Sequence, residues 1–189
     1  MEDYIAIANL NDFIFCPYSI YLHSVYMESD EDMYKAVPQL SGSEAHKRVD
    51  CKTTSTRKGD LAALPVCCDE LGVVGVIDIY KSDRRLLIER KNNLKQLFRG
   101  QIYQLWAQYF CMIEMGYLVE RIAFYEISTN KMHYLPLPSD KDKAELLSFI
   151  SEYRSYRPDK DTFSVNPNKC RHCIYCNMCD KTDCDNVYT

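Results

Sequence analysis

Apolar positions along the chain follow two different periods. In "NLNDFIFCPYSIYLHSVYM" (residues 9–27) they recur three and four apart behind the capping candidates Asn9 and Asn11. That spacing predicts a helix, with a boundary or kink where Pro17 follows Cys16. "SGSEAHKRVD" (41–50) reads as another helix start, and "TTSTRKGD" (53–60) as a polar surface loop. "LAALPVCCDE", "LGVVGVIDIYKS" and "RRLLIERKN" are short apolar runs separated by turn residues, the pattern of successive antiparallel strands. "LKQLFRGQIYQLWAQYFCMIEMGY" (94–117) predicts a long amphipathic helix ending near Gly116. "VERIAFYEISTNKMHYLPL" predicts a hairpin turning at Thr129-Asn130, and "DKDKAELLSFISEYRSY" (140–156) a further helix. A linker, "RPDKDTFSVNPN", leads into a cysteine-rich tail. This order predicts an α/β domain, a mixed α+β sheet partly covered by helices, over residues 1–165. Residues 166–189 form a cysteine segment packed on the same domain. There is no internal repeat and no low-complexity tract.

Composition narrows the setting. The 189 residues suffice for one well-buried domain, and 47% hydrophobic with 26% charged residues is an ordinary globular balance. No run approaches the roughly 18 apolar residues of a membrane span. The start, "MEDYIAIANLNDF", is acidic and amphipathic, unlike a secretory signal, so the expectation is a cytoplasmic protein with no membrane partner. Disulfides are rare there, so ten cysteines point to metal binding, with core thiols taking the remainder. Cys67, Cys68 and Cys111 sit in apolar segments and read as core thiols. Trp106 and the 15 tyrosines offer surfaces on which bases stack, although Trp106 on an amphipathic helix reads first as core.

Net charge is −4, which does not advertise nucleic-acid binding, but charge is local. Residues 81–100 hold seven basic side chains against two acidic ones. Arg84, Arg85, Lys95 and Arg99 are the candidates there for contacts with a phosphate backbone. A solvated charged turn and helix start accounts for the same charges.

The chemistry concentrates in "GVIDIYKSDRRLLIERK". Glu89 and Lys91 are two apart on a strand and so project from one face. If the preceding strand pairs antiparallel about the turn, Asp78 reaches the same end of the sheet. Two converging carboxylates make an oxygen site for Mg²⁺ or Mn²⁺, and a neighbouring lysine can orient a water or stabilise a transition state. Placing these residues on the solvent face of an edge hairpin fits the pattern equally.

"GVID" followed ten residues later by "ERK" resembles the PD-(D/E)xK motif of the restriction-endonuclease-like nucleases, with Asp78, Glu89 and Lys91 in the motif positions. "SGSEAH" resembles the segment that carries a histidine in RecB-like nucleases, which implies His46 as an additional metal ligand. The implied metal set is His46, Asp78, Glu89 and Arg90. "YQLWAQYFCMIEMGY" is similar to the helix of these nucleases that carries Q-x-x-x-Y, with Gln104 at the glutamine position. The implied catalytic set is Asp78, Glu89, Lys91 and Gln104. Gln108 stands where the tyrosine is expected, a departure that would touch a substrate-positioning contact and leave the metal site alone.

Five cysteines fall within "KCRHCIYCNMCDKTDC" (169–184). Alone they fit either a zinc knuckle of Cys170, Cys173, Cys176 and Cys179, or with Cys184 substituted, or part of an iron–sulfur site. The RecB-like resemblance extends to "FCPYSIYL" and to the C-x2-C-x5-C spacing of Cys170, Cys173 and Cys179. It implies that these three and Cys16 hold an iron–sulfur cluster, [4Fe–4S] by preference, leaving Cys176 and Cys184 outside. Cys16 and Cys170 lie 154 residues apart. Treated as a crosslink, that closure removes about 5 kcal/mol of unfolded-chain entropy.

A freestanding RecB-like nuclease of this size with such a cluster resembles the CRISPR-associated protein 4 family. That resemblance implies a restriction-endonuclease-like core and exonuclease activity on single-stranded DNA, often 5′ to 3′, sometimes with endonuclease activity. It also implies prespacer trimming and the selection of spacers beside a protospacer-adjacent motif. The implied partners are DNA, the CRISPR integrase and its small companion subunit. A recombination or phage-type end-processing nuclease, and a noncatalytic DNA-binding scaffold, share parts of this pattern.

Overall fold

The apolar alternation of residues 60–91 becomes three antiparallel strands. The computed structural model describes residues 4–26, 59–162 and 164–182. The helix start expected at 41–50 with His46, the loop at 53–58, Cys51 and Cys184 lie outside the described residues. A short strand β1 (Ile5–Ala6) precedes the long pair β2 (Asp60–Cys68) and β3 (Val73–Lys81), and β4 (Leu86–Lys91) follows. One edge of β3 is taken by β2. Its other edge is shared between β1, parallel at Val73 and Val74, and β4, antiparallel from Ile79 to Lys81. Arg85 closes the β3–β4 turn in the left-handed region, with φ of 48°.

From β4 the chain crosses through helix α3 (Arg99–Glu114) and returns as β5 (Arg121–Glu126), parallel to β4. A parallel neighbour requires such a crossover, whereas an antiparallel one needs only a turn. β6 (Lys131–Leu135) then folds back antiparallel on β5. Their turn contains Asn130 at φ of 55°, a conformation asparagine tolerates better than most residues, as the Thr129-Asn130 signal predicts. The sheet is therefore mixed, running β1-β3-β4-β5-β6 with β2 against β3.

Helices α1 (Ile7–Phe15) and α2 (Pro17–Val25) break at the boundary expected where Pro17 follows Cys16. Cys16 between them is extended, as the residue before proline prefers, and Pro17 occupies the first turn of α2, where a missing N–H costs nothing. The expected caps are corrected: Asn9 and Asn11 lie inside α1, which starts at Ile7 straight after β1. Burial of Ile7, Leu10 and Phe13 on one face, rather than a polar cap, decides that start. α3 also starts later than expected, at Arg99, because the Leu94 N–H donates to Glu126 Oε1 at 2.9 Å instead of entering a helix. Gly100 lets α1 and α3 approach closely, since a Cβ there would lie 2.5 Å from Asn11 Oδ1. Helix α4 (Asp140–Ser155) opens with a reciprocal cap between Ser139 and Asp142.

Along β4, Leu87 packs into the large core beneath α1, α3 and α4, with Ile7, Leu10, Tyr103, Phe124 and Leu146. Leu86 and Ile88 face the opposite side and join Ile79 and Ala123. Alternation then puts Glu89 and Lys91 on the helix-covered side. Trp106 packs against the large core and Cys68 and Cys111 are buried in it, but Cys67 is exposed, because alternation along β2 turns it outward. After the linker, α5 (Pro167–Cys170) leads into a third apolar cluster of Tyr18, Leu22 and Tyr175, bordered by Cys16, Cys173 and Cys179. Among the described residues no helix is long and apolar enough to cross a membrane.

Candidate active site and a four-thiol cavity

The β3–β4 register pairs Ile79 with Ile88, so one further step sets Asp78 opposite Glu89. Asp78 Oδ2 accepts a hydrogen bond from the Arg90 main-chain N–H at 2.7 Å, which fixes its carboxylate against the next strand. Glu89 is only 1% exposed. Its Oε1 accepts from Lys91 Nζ at 2.8 Å and from Gln104 Nε2 at 2.9 Å, and its Oε2 from Gln108 Nε2 at 2.8 Å. Lys91 Nζ also donates to Gln104 Oε1 at 3.0 Å, closing a triangle of Lys91, Glu89 and Gln104. A buried carboxylate without such partners would be strongly destabilising; here one cation and two amides offset its desolvation.

Three of the expected residues, Glu89, Lys91 and Gln104, are therefore bonded together, Asp78 stands across the strand pair from Glu89, and Gln108 joins them. Gln104 and Gln108 stand four apart on one face of α3, so both reach the same carboxylate. Gln108 is not a bystander to the carboxylates: it holds Glu89 directly. The signal was the i, i+4 repeat of glutamine, not the missing tyrosine. Gln108 Oε1 is buried with no hydrogen-bond partner. The Arg90 side chain leaves the opposite face of β4 and lies 5.9 Å from the Tyr125 ring centre. A guanidinium is a permanent cation with no acceptor, so only the main chain of Arg90 can serve the site. His46 lies outside the described residues.

The basic candidates separate into two groups. Arg84 and Arg85 sit at the β3–β4 turn, four or more residues from Glu89 and so about 13 Å or more away along the strand. Arg84 is 3.8 Å from Asp83, and Arg85 pairs with Glu120. Lys95 instead lies on the link that follows Lys91, and Arg99 opens α3. Arg99 donates to Glu145 at 2.6 Å, and Tyr103 donates to the same oxygen at 2.5 Å. These bonds, Tyr103 first, hold the Glu145 carboxyl below the usual range. Exposed pairs of this kind contribute little stability, so Arg99 stays available to another anion.

On the far side of α1, a cavity of about 330 Å³ is lined by Cys16, Cys170, Cys173 and Cys179 together with Tyr18 and Leu22. Burial pushes the Cys173 thiol up to about 11, and the Cys179 thiol upward, with the neighbouring sulfurs adding to both. Several thiolates in one apolar cavity repel one another unless a metal centre neutralises them. The side chains around the cavity are tied down: Tyr18 donates to Asp180 Oδ1 at 2.6 Å, and Lys169 Nζ to the Ile14 carbonyl at 3.0 Å. Cys176 also reaches the cavity wall, but it is disulfide-bonded. Four thiol donors in an apolar pocket fit the ligand chemistry of an iron–sulfur cluster. Among the described residues no three His, Cys, Asp or Glu side chains are gathered about a single metal position.

No protein-family model matches the chain, and no curated protein matches it. Among solved structures it is similar to the crystal structure of SSO0001, with a TM-score of 0.60 over 95% of this chain and 87% of that one. Identity between the two is 16%, so the likeness is one of fold, extending over nearly all of both chains.

Proposed function

We propose that the chain is a metal-dependent DNA nuclease with a RecB-like core, acting as an exonuclease on single-stranded DNA in CRISPR spacer acquisition. The observation that supports the nuclease reading is the bonded set of Glu89, Lys91 and Gln104 on β4 and α3, with Asp78 across the strand pair from Glu89 and fixed on the Arg90 N–H. Asp78 and Glu89, with His46 by resemblance, would hold Mg²⁺ or Mn²⁺. That ion, when bound, supplies an acidified water and offsets charge developing on the phosphate. Lys91 supplies a fixed ammonium beside the carboxylates, placed to orient a water or meet a phosphate oxygen. Gln104 orients both Lys91 and Glu89, and Gln108 holds the second Glu89 oxygen, so the carboxylate is aimed before substrate arrives.

Cys16, Cys170, Cys173 and Cys179 would hold a [4Fe–4S] cluster that latches the C-terminal segment to the α1–α2 corner, on the support of their shared cavity. The assignment to spacer acquisition, in the cytoplasm with the CRISPR integrase and its small companion subunit as partners, rests on the sequence resemblance.

The test is digestion of end-labelled single-stranded DNA. Cleavage is expected with Mn²⁺ or Mg²⁺, to stop with chelator, and to be lost in Asp78→Ala and Lys91→Ala. Retained metal binding is expected only in Lys91→Ala, because a lysine is not a ligand. Substantial cleavage by purified Asp78→Ala would remove this site from the reaction.

A further inference from the structure

The segment joining Lys91 to α3 carries a feature that the carboxylate site does not use. Leu97 and Phe98 are 40% and 54% exposed, although both belong to the apolar pattern of the sequence. The main chain at Phe98 is held in place, not frayed. The Phe98 N–H donates to Gln101 Oε1 at 3.1 Å, and its carbonyl accepts from the N–H groups of Gln101 and Ile102 at 3.0 and 3.2 Å. Upstream, the Leu94 N–H is anchored on Glu126. From Lys91 to Gln101 the chain holds Lys91, Lys95 and Arg99 and no acidic residue. The Arg99 side chain is 65% exposed even while paired with Glu145. An exposed aromatic side chain thus stands on an anchored stretch of main chain, between two cations in sequence, on the strand-to-helix link that leaves Lys91.

From these observations we infer that Phe98 is a stacking platform for a base of single-stranded DNA, with Lys95 and Arg99 taking the flanking phosphates. The inference rests on the nuclease reading and adds the residue that selects the strand state. A base in a single strand offers its face to an aromatic ring, whereas a duplex keeps that face covered by its neighbours. Gln104 stands six residues into α3 from Phe98, about 9 Å along the helix axis. At about 3.4 Å per stacked nucleotide, the platform holds a base roughly two or three nucleotides from the carboxylates.

The experiment is equilibrium binding of a fluorescent oligo-dT, and of a duplex of equal length, by the full chain in chelator across a salt series. Phe98→Ala is expected to weaken oligo-dT binding roughly fivefold to a hundredfold, the loss of one stacked base, with an unchanged salt slope. Phe98→Tyr restores the affinity, and duplex binding is unaffected by either change. Lys95→Ala is expected to lower the single-strand salt slope by about 0.7, the mark of one lost phosphate contact. Phe98→Ala binding oligo-dT like wild type, or losing single- and double-strand affinity equally, overturns the platform. If the wild type still cleaves with metal in that case, the nuclease reading survives. Wild-type protein that neither binds oligo-dT nor cleaves it overturns both.

Discussion

The bond between Lys91 and Glu89 offers a quantitative test of how the candidate site is held together. The Lys91 side chain is 18% exposed and that of Glu89 1%, so neither charge is screened as a surface pair would be. Removing one partner of a buried pair costs about 3–5 kcal/mol. Gln104 and Gln108 still donate to Glu89, which places Lys91→Met near about 3 kcal/mol. In a chain of this length each kcal/mol moves the melting temperature by about 2–4 °C, so a fall of roughly 6–12 °C is expected. Adding Glu89→Gln removes the stranded charge, and the double variant should recover about 1.5 kcal/mol of that loss, a coupling ordinary for side chains in contact. The assay is thermal unfolding, followed by circular dichroism in chelator, of the wild type, both single variants and the double. A second arm adds Mn²⁺ at a hundredfold excess over its dissociation constant, which should stabilise the wild type by about 2.7 kcal/mol and leave Asp78→Ala unmoved. Strict additivity of the two substitutions would refute the argument, because it would mean that Lys91 does not compensate the Glu89 charge.

Two further outcomes follow from other parts of the structure. Protein purified without oxygen should be brown and contain iron and sulfide; Cys16→Ser, Cys170→Ser, Cys173→Ser or Cys179→Ser should bleach it, and Cys176→Ser should not, as visible absorbance and iron analysis will report. Glu126 accepts from the Leu94 N–H, Thr129, His133 and Ser128, which lowers its carboxyl from 4.5 to about 2. Because the folded value is the lower one, its stabilisation is complete above about pH 4.5 and fades as pH falls toward 2. The melting-temperature gap between wild type and Glu126→Gln should therefore be open at pH 6 and close on acidification.

Sequence periodicity carried what depends on neighbours in the chain. The alternation Leu87, Glu89, Lys91 fixes which side of β4 faces the helices, and the proline rule locates the corner at Cys16. What it missed depends on partners brought in by the fold. The late start of α3 is decided by Glu126, 32 residues beyond the N–H it captures. The parallel pairing of β4 with β5 is set by the crossover through α3 and leaves no mark on either strand. Arg84 and Arg85 look equivalent to Lys95 and Arg99 as charges, and only the direction of β4 separates the turn from the site. Gln108 read as a lost tyrosine until α3 was laid across Glu89.

The positions of the thiols along the chain also set an order of events during synthesis. Asp78 and Glu89 lie eleven residues apart on a hairpin whose contacts are local, and local contacts form early. Cys16 leaves the ribosome ahead of strands β2 to β6, but its three companions emerge only after the last strand. At roughly 5–20 residues per second, about eight to thirty seconds of translation separate Cys16 from Cys170. Closure of the four-thiol cavity is therefore a step that waits for the sheet, available only to a chain translated through Cys179. A chain cut short within the linker keeps the hairpin of Asp78, Glu89 and Lys91 but has a single thiol of the four. The corner at Cys16 then stands uncovered, with Tyr18 and Leu22 turned toward water, which marks the fragment for proteolysis.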